Sequence, residues 1–250
     1  MPATNMTTNL PNGITNVVDA TAATLGSFVA PDPSRAHIWF TDFDEFSHHA
    51  TNSALWLSTA VGSSTAALTD ADGGILLLTT GGTEDNGISA QWSGWEAAAV
   101  TEAWTWESGK SMWFKTRLKL SNATQTDIVI GLAVTDTSPW DAADGLFFLK
   151  VDGSTTLNFK AVKTGVGTST VSTATLADDT FFTVGFWWDA AMGVLTVYYN
   201  DNPVGNLETT TNFPSTELAV TLGLLTGSGD ARTAQIDYIM VAKDRQTTFA

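Results

Sequence analysis

Residues 180–205 read TFFTVGFWWDAAMGVLTVYYNDNPVG and predict a β-hairpin. Val184, Phe186 and Trp188 share one face of its first strand, because alternate residues of a strand point to the same side. Trp187 points to the opposite face. We expect strands that are apolar on both faces to be covered on both faces, so the hairpin is predicted to lie inside a sandwich of two sheets.

The second half of the hairpin supports the same prediction. A turn is expected at 189–193, and the run at 194–199 again carries apolar residues on both faces. The sequence Asp201-Asn202-Pro203 then ends the strand with turn-forming residues. An isolated hairpin is only marginally stable in water, so further strands have to complete its core.

From His37 onward the chain consists of short apolar runs separated by Gly, Asn and Asp, which is typical of an all-β sandwich or jelly roll. The strands predicted outside the hairpin are 37–46, 54–61, 74–80, 86–92, 95–100, 111–120, 126–134, 145–151, 156–162, 217–225 and 233–242. The Thr/Ser-rich run at 164–175 is interpreted as a polar connection. Residues 37–250 are therefore predicted to form one jelly-roll domain, and residues 1–36 an N-terminal arm.

Composition limits the classes of function. The chain has 250 residues, of which 43% are hydrophobic, enough for one large all-β domain with a substantial core. It contains no cysteine, which excludes disulfides and thiolate metal sites and is compatible with assembly in a reducing cytoplasm. The net charge of −15 disfavours binding to nucleic acid or to an anionic membrane. We see neither a secretory signal nor an apolar run long enough to span a bilayer.

The predicted arm is rich in Thr, Asn and Ala and has too few apolar residues for a core of its own. It is interpreted either as a leader without fixed structure or as a segment that docks on a neighbouring subunit. On the second interpretation its predicted partner-binding residues are Leu10, Ile14, Val17, Val18 and Phe28.

One loop, TDTSPWDAADG, concentrates polar residues. Asp136, Asp141 and Asp144 are the best candidates for a calcium site, but the loop lacks a set ligand spacing and Asp is a common turn former. We therefore favour Asx turns and predict no metal and no other cofactor. Trp140 is expected at the exposed tip of this loop, where it would anchor a partner or a glycan.

The segments WFKTRLKLS (113–121), IGLAVTDTSP (130–139), DGLFFLKVDG (144–153), the hairpin and TAQIDYIMVAKDR (233–245) together resemble the concanavalin A-like jelly roll of legume lectins, laminin G-like modules and some glucanases. Within that class, the combination of WFKTRLKL, GLAVTDTSP and DYIMVAKDR most resembles the structural proteins of tailed-bacteriophage virions. The resemblance implies a non-enzymatic decoration or cement protein that binds the outer surface of a phage head. Its implied partners are the major capsid protein and copies of itself, with a closed homo-oligomer such as a trimer expected. The implied location is the virion surface, after assembly in the host cytoplasm.

Two alternatives stay open. The supply of tryptophan, Trp140 above all, suits a lectin-like carbohydrate-binding module. A glycoside hydrolase of this fold would carry a strand-borne E-x-D-x-x-E pattern, which is absent from the sequence. The nearest substitute, Asp42 and Asp44, lacks a third carboxylate and is interpreted as a solvated face or turn.

Overall fold

The structure is a computed structural model that describes residues 6–9, 15–18, 36–43, 56–69, 74–92 and 103–245. Its strands are β1 (Met6–Asn9), β2 (Thr15–Val18), β3 (Ala36–Thr41), β4 (Trp56–Val61), β5 (Thr65–Thr69), β6 (Ile75–Thr79), β7 (Gly87–Trp92), β8 (Trp104–Thr105), β9 (Met112–Leu120), β10 (Thr126–Ala133), β11 (Gly145–Lys150), β12 (Thr156–Lys163), β13 (Gly167–Thr175), β14 (Phe182–Asp189), β15 (Val194–Tyr199), β16 (Asn202–Leu207), β17 (Glu217–Thr226) and β18 (Thr233–Asp244). A short 3-10 helix, Pro139–Asp141, lies between β10 and β11.

Two antiparallel sheets form the sandwich. Sheet I has the order β13-β12-β11-β10-β17-β7-β4, with β8 also pairing with β17. Sheet II has the order β16-β15-β14-β9-β18-β6-β5, and β3 pairs with β18. The prediction of an all-β sandwich of the jelly-roll class is confirmed.

The core lies between the inner faces of the two sheets. Phe114, Val184 and Phe186 of sheet II are fully buried and pack in one cluster with Ile130 and Phe148 of sheet I. The Phe159 ring contacts the rings of Phe148 and Phe186. Burial of each such side chain stabilises the fold by roughly 1.5–3 kcal/mol.

The predicted hairpin is confirmed as β14 and β15, with Val184, Phe186 and Trp188 on the core face. The expectation that both of its faces are covered by sheets is wrong, because Trp187 points away from the sandwich and is half-buried. The strand ends at Tyr199 as predicted, and the turn is made by Asn200 and Asp201, whereas Asn202 and Pro203 already belong to the edge strand β16.

Other strand predictions need smaller corrections. The polar run at 164–175 contains β13, which pairs with β12 and alternates between half-buried and exposed residues. Strands β5 and β8 were not predicted, and the strand predicted at 95–100 lies outside the described residues.

In the predicted arm, β1 and β2 form an antiparallel pair in which Val17 lies opposite Thr7 and Val18 opposite Met6. Leu10, Ile14 and Phe28 lie outside the described residues. The partner-binding role of the arm therefore stays a prediction. In the part of the chain that is described, no helix has the length and apolar character needed to span a membrane.

Candidate binding face

The outer face of sheet II carries aromatic and aliphatic side chains across five strands. Trp113, Trp187 and Met240 each lie between neighbours that point into the core, so they point outward. We call this surface the aromatic face and define it as Ile38, Phe40, Trp113, Trp187, Tyr198, Tyr238 and Met240.

Cross-strand pairing brings these rings together. Trp187 lies opposite Trp113 in the ladder, and their rings are parallel to within 8° with centroids 6.4 Å apart. Phe40 stacks on Tyr238 at 6.3 Å. The edge of the aromatic face at β3 is the most accessible part, since Phe40 is 57% exposed and Ile38 39% exposed.

Two tyrosines complete the aromatic face. Tyr198 lies opposite Gly185, which has no side chain to occupy the space beside it, and Tyr198 is buried. Burial raises the pKa of the Tyr198 hydroxyl above its ordinary value. Burial likewise raises the pKa of Tyr238, against the opposing effect of its hydrogen bond with Thr183. Both tyrosines therefore stay neutral at physiological pH.

A cluster of cations borders the aromatic face along β9. Arg117 pairs with Asp237 at 2.5 Å, and Lys115 pairs with Asp201 at 2.7 Å. The Arg117 guanidinium lies 4.1 Å from the centre of the Phe181 ring, and the Lys119 ammonium lies 5.2 Å from the same centre. We call Arg117, Lys119 and Phe181 the basic corner.

Trp140 does not have the position expected for it. The side chain is half-buried rather than exposed, and it packs against an apolar cluster on the outer face of sheet I that contains Val129 and Phe147. Gly223 gives it room, because a Cβ atom there would come within 2.8 Å of the indole ring. The partner-binding role of Trp140 stays a prediction, with less surface available than the sequence suggested.

The acidic loop around Trp140 forms the predicted turn. The Asp136 carboxylate accepts a hydrogen bond from the Ser138 amide at 2.9 Å, which is the geometry of an Asx turn. Asp144 is buried, while Asp141 is exposed at the end of the 3-10 helix. Within the described ranges, no group of three or more His, Asp or Glu side chains is placed to hold a metal ion.

The tryptophans and the carboxylate around β8 are held by contacts within the protein. Trp104 is buried and Trp106 packs edge-on against Trp188, so both belong to the core and its margin. Glu107 is held by Lys110 and Lys243, and its hydrogen bonds to these lysines lower the pKa of its carboxyl. Asp42 follows β3, whereas Asp44 lies outside the described residues.

Sequence reasoning missed most of the aromatic face. The sequence of β9 is MWFKTRLKL, in which apolar residues alternate with Lys115, Arg117 and Lys119, so the basic side chains mark the solvent side. Trp113 has the same parity as these basic residues. This shared alternation was the one feature of the sequence that indicated that Trp113 faces solvent. Phe40 and Tyr238 had no comparable signal, because only the pairing of β3 with β18 brings them together.

Comparison with known proteins supports the fold. No family model matches the chain, and no curated protein sequence matches it. A Shewanella oneidensis MR-1 protein of unknown function, SO2946, is similar in structure with a TM-score of 0.57 and 12% identity, over 90% of this chain and 94% of that one. The Emp47p carbohydrate recognition domain gives a TM-score of 0.53 and 13% identity, over 74% of this chain and 87% of that one. A Bacillus licheniformis beta-glucanase gives a TM-score of 0.52 and 14% identity, over 82% of this chain and 97% of that one. The chain thus has a concanavalin A-like jelly-roll fold, shared with lectins and glucanases.

Proposed function

We propose that this protein is a non-catalytic binding protein that attaches through its aromatic face to the protein surface of a larger assembly. The observation that carries the proposal is the outward row of apolar and aromatic side chains from Trp187 across Trp113 to Ile38 and Phe40. Contiguous apolar surface of this kind marks interaction sites on soluble proteins.

The composition of the aromatic face favours a protein as the partner. Trp, Tyr, Phe, Met and Arg are the residue types enriched at the centres of protein interfaces, and alanine scans find Trp, Tyr and Arg most often among the energetically dominant residues. Trp113, Trp187, Tyr238 and Met240 supply these types on neighbouring strands, and Arg117 lies beside Tyr238 in the ladder.

The sequence resemblance supplies the finer part of the proposal, a decoration or cement protein on a tailed-phage head. The major capsid protein is then the partner, and the location is the virion surface. Many copies, each making moderate contacts, would give strong retention through multivalency. The absence of an E-x-D-x-x-E pattern from the sequence favours a binding protein over a glycoside hydrolase.

Cosedimentation of the purified protein with heads of the encoding phage that lack it tests this function. We expect Phe40→Ala to lower the affinity about tenfold or more, since truncating an aromatic side chain that dominates an interface costs about 2 kcal/mol or more. Val166→Ala is the control, because Val166 is an even more exposed apolar residue, in the turn between β12 and β13. Equal retention of both variants and the unmodified protein would contradict the use of this face.

A carbohydrate-binding module is the second candidate, favoured by the parallel pair Trp113 and Trp187 and by the fold shared with the Emp47p carbohydrate recognition domain. A glycan array tests it directly. Glycan binding that is lost in Trp187→Ala, together with no retention on phage heads, would establish this function in place of the first.

A further inference from the structure

We propose that the basic corner recognises a carboxylate side chain, so that the partner of the aromatic face presents an acidic protein surface. This inference rests on the proposed function, because it concerns the partner of the same face. It begins from the two cations that share the Phe181 ring.

Arg117 and Lys119 are held close together although they repel each other. Their charged groups lie 4.1 and 5.2 Å from the centre of one ring. Attraction between each cation and the ring face keeps both in place. A negatively charged group that reaches both would relieve the repulsion and gain attraction from each.

The counter-ions present in the chain leave a deficit at this corner. Asp237 pairs with Arg117, and Asp201 pairs with Lys115, whose side chain is only 14% exposed. For Lys119 the described residues offer no ion-pairing carboxylate. The corner therefore has one carboxylate, Asp237, for the two accessible cations Arg117 and Lys119. A carboxylate from a partner could accept a charge-assisted hydrogen bond from Lys119.

The position of the corner links it to the aromatic face. Arg117 lies opposite Tyr238 in the ladder, and Tyr238 stacks on the exposed Phe40. In a chain of net charge −15, this is a locally positive margin beside an apolar surface. Charges at the margin of an interface steer association and select partners of opposite sign.

The neighbouring side chains favour a protein over an acidic polysaccharide. Beside Trp113, β18 and β3 present Ala242, Ile38 and Met240, which offer sugar hydroxyls no hydrogen-bonding group stronger than the weakly accepting Met240 thioether. Apolar side chains of a protein partner suit this stretch better.

The test is the association of the full-length protein with an immobilised random copolymer of glutamate and tyrosine, measured by biolayer interferometry at low and high salt. Polygalacturonate serves as the carboxylate polysaccharide. We expect binding to the copolymer, with an association rate that falls as salt rises. Lys119→Gln should lower that rate by about three- to tenfold and weaken its salt dependence.

Lys160→Gln on the outer face of sheet I is the matched control and should leave the rate unchanged. No binding to the copolymer, or equal losses in both variants, would overturn the inference. Tighter binding to polygalacturonate would overturn it as well and assign the corner to an acidic polysaccharide. Failure of the proposed function appears separately, as unchanged head binding by Phe40→Ala.

Discussion

Trp140 lies over Gly223, with the indole ring occupying the space that a side chain at 223 would need. A Cβ atom at that position would come 2.8 Å from Cζ2 of Trp140 and 3.1 Å from Cγ1 of Val129. Gly223 is in the middle of β17, so the backbone cannot move away without disturbing its pairing with β7 and β10. The loop that carries Trp140 can therefore pack onto sheet I only because residue 223 has no side chain.

Gly223→Ala should destabilise the protein and displace Trp140. The extra methyl group overpacks this contact, and overpacking lowers the free energy of unfolding by about 1–3 kcal/mol. Urea denaturation followed by circular dichroism measures the loss. Gly229→Ala is the control, because nothing lies within 4 Å of a Cβ atom there. A loss at Gly223 no larger than the loss at Gly229 would show that Trp140 does not pack on β17.

Adjacent residues of β14 should respond very differently to truncation. Phe186 is fully buried, whereas Trp187 is half-buried on the outer face. Phe186→Ala should lower the free energy of unfolding by about 3–5 kcal/mol, because it leaves a cavity in the core. Trp187→Ala loses the stacking on Trp113, worth roughly 0.5–1.5 kcal/mol. Chemical denaturation of both variants measures the difference, and equal losses would mean that both faces of β14 are packed.

The folded protein should become more stable in mild alkali because of Lys150. The side chain is 0% exposed, and its ammonium donates to the backbone carbonyl of Thr126. Burial lowers the pKa of Lys150 from 10.5 to about 8. Between pH 8 and 10 the unfolded chain therefore binds more protons at this residue than the folded chain does. The free energy of unfolding should rise with pH across that window by about 2 kcal/mol.

Lys150→Met provides the control for this prediction. Methionine keeps much of the apolar length but has no titrating group, so the rise attributed to Lys150 should disappear. Urea denaturation at intervals from pH 7 to 10 compares the two proteins. The window ends at 10 because the buried Tyr198 and Tyr238, whose pKa values are raised, begin to oppose folding above it. An identical slope in both proteins would rule out Lys150 as the source.

Removal of residues 1–35 should weaken attachment to phage heads without unfolding the sandwich. The deletion ends before Ala36 because β3 begins there and pairs with β18. If the arm docks on a neighbouring subunit, occupancy measured by cosedimentation should fall while the urea midpoint changes little. The outcome against the arm hypothesis is full occupancy by the shortened protein.

The sequence predicts strands well where both faces have a distinct chemistry. The alternation of apolar and basic residues in β9 gave its core face correctly, and the aromatic run of β14 did the same. It predicted β13 and β16 poorly because both are edge strands, where half of the residues face solvent and the apolar signal is weak. The alternating Thr and Ser residues of β13 pair normally with β12 despite their polarity.

The candidate site was harder to predict than the fold. The alternation placed Trp187 on the face opposite Phe186, but it did not show that this face is the outer one. Its contact with Trp113 depends on which strands are neighbours and in what register. The exposure of Trp140 was mispredicted for a related reason. Its loop looks exposed in sequence, and only the glycine on a distant strand shows that the ring has a place to pack.

The turn between β14 and β15 offers a practical use. Met192 at this turn is 74% exposed, and Gly193 has a φ of 67°. The Asp189 carboxylate accepts hydrogen bonds from the turn amides of Ala191 and Met192, so the Met192 side chain has no part in holding the reversal. The turn lies at one end of the hairpin and the aromatic side chains lie along the broad side of the sheet. Because loop tips of this kind tolerate inserted sequence, a peptide epitope or fluorescent label grafted at Met192 would be displayed at the end of the sandwich and leave the flat side unobstructed.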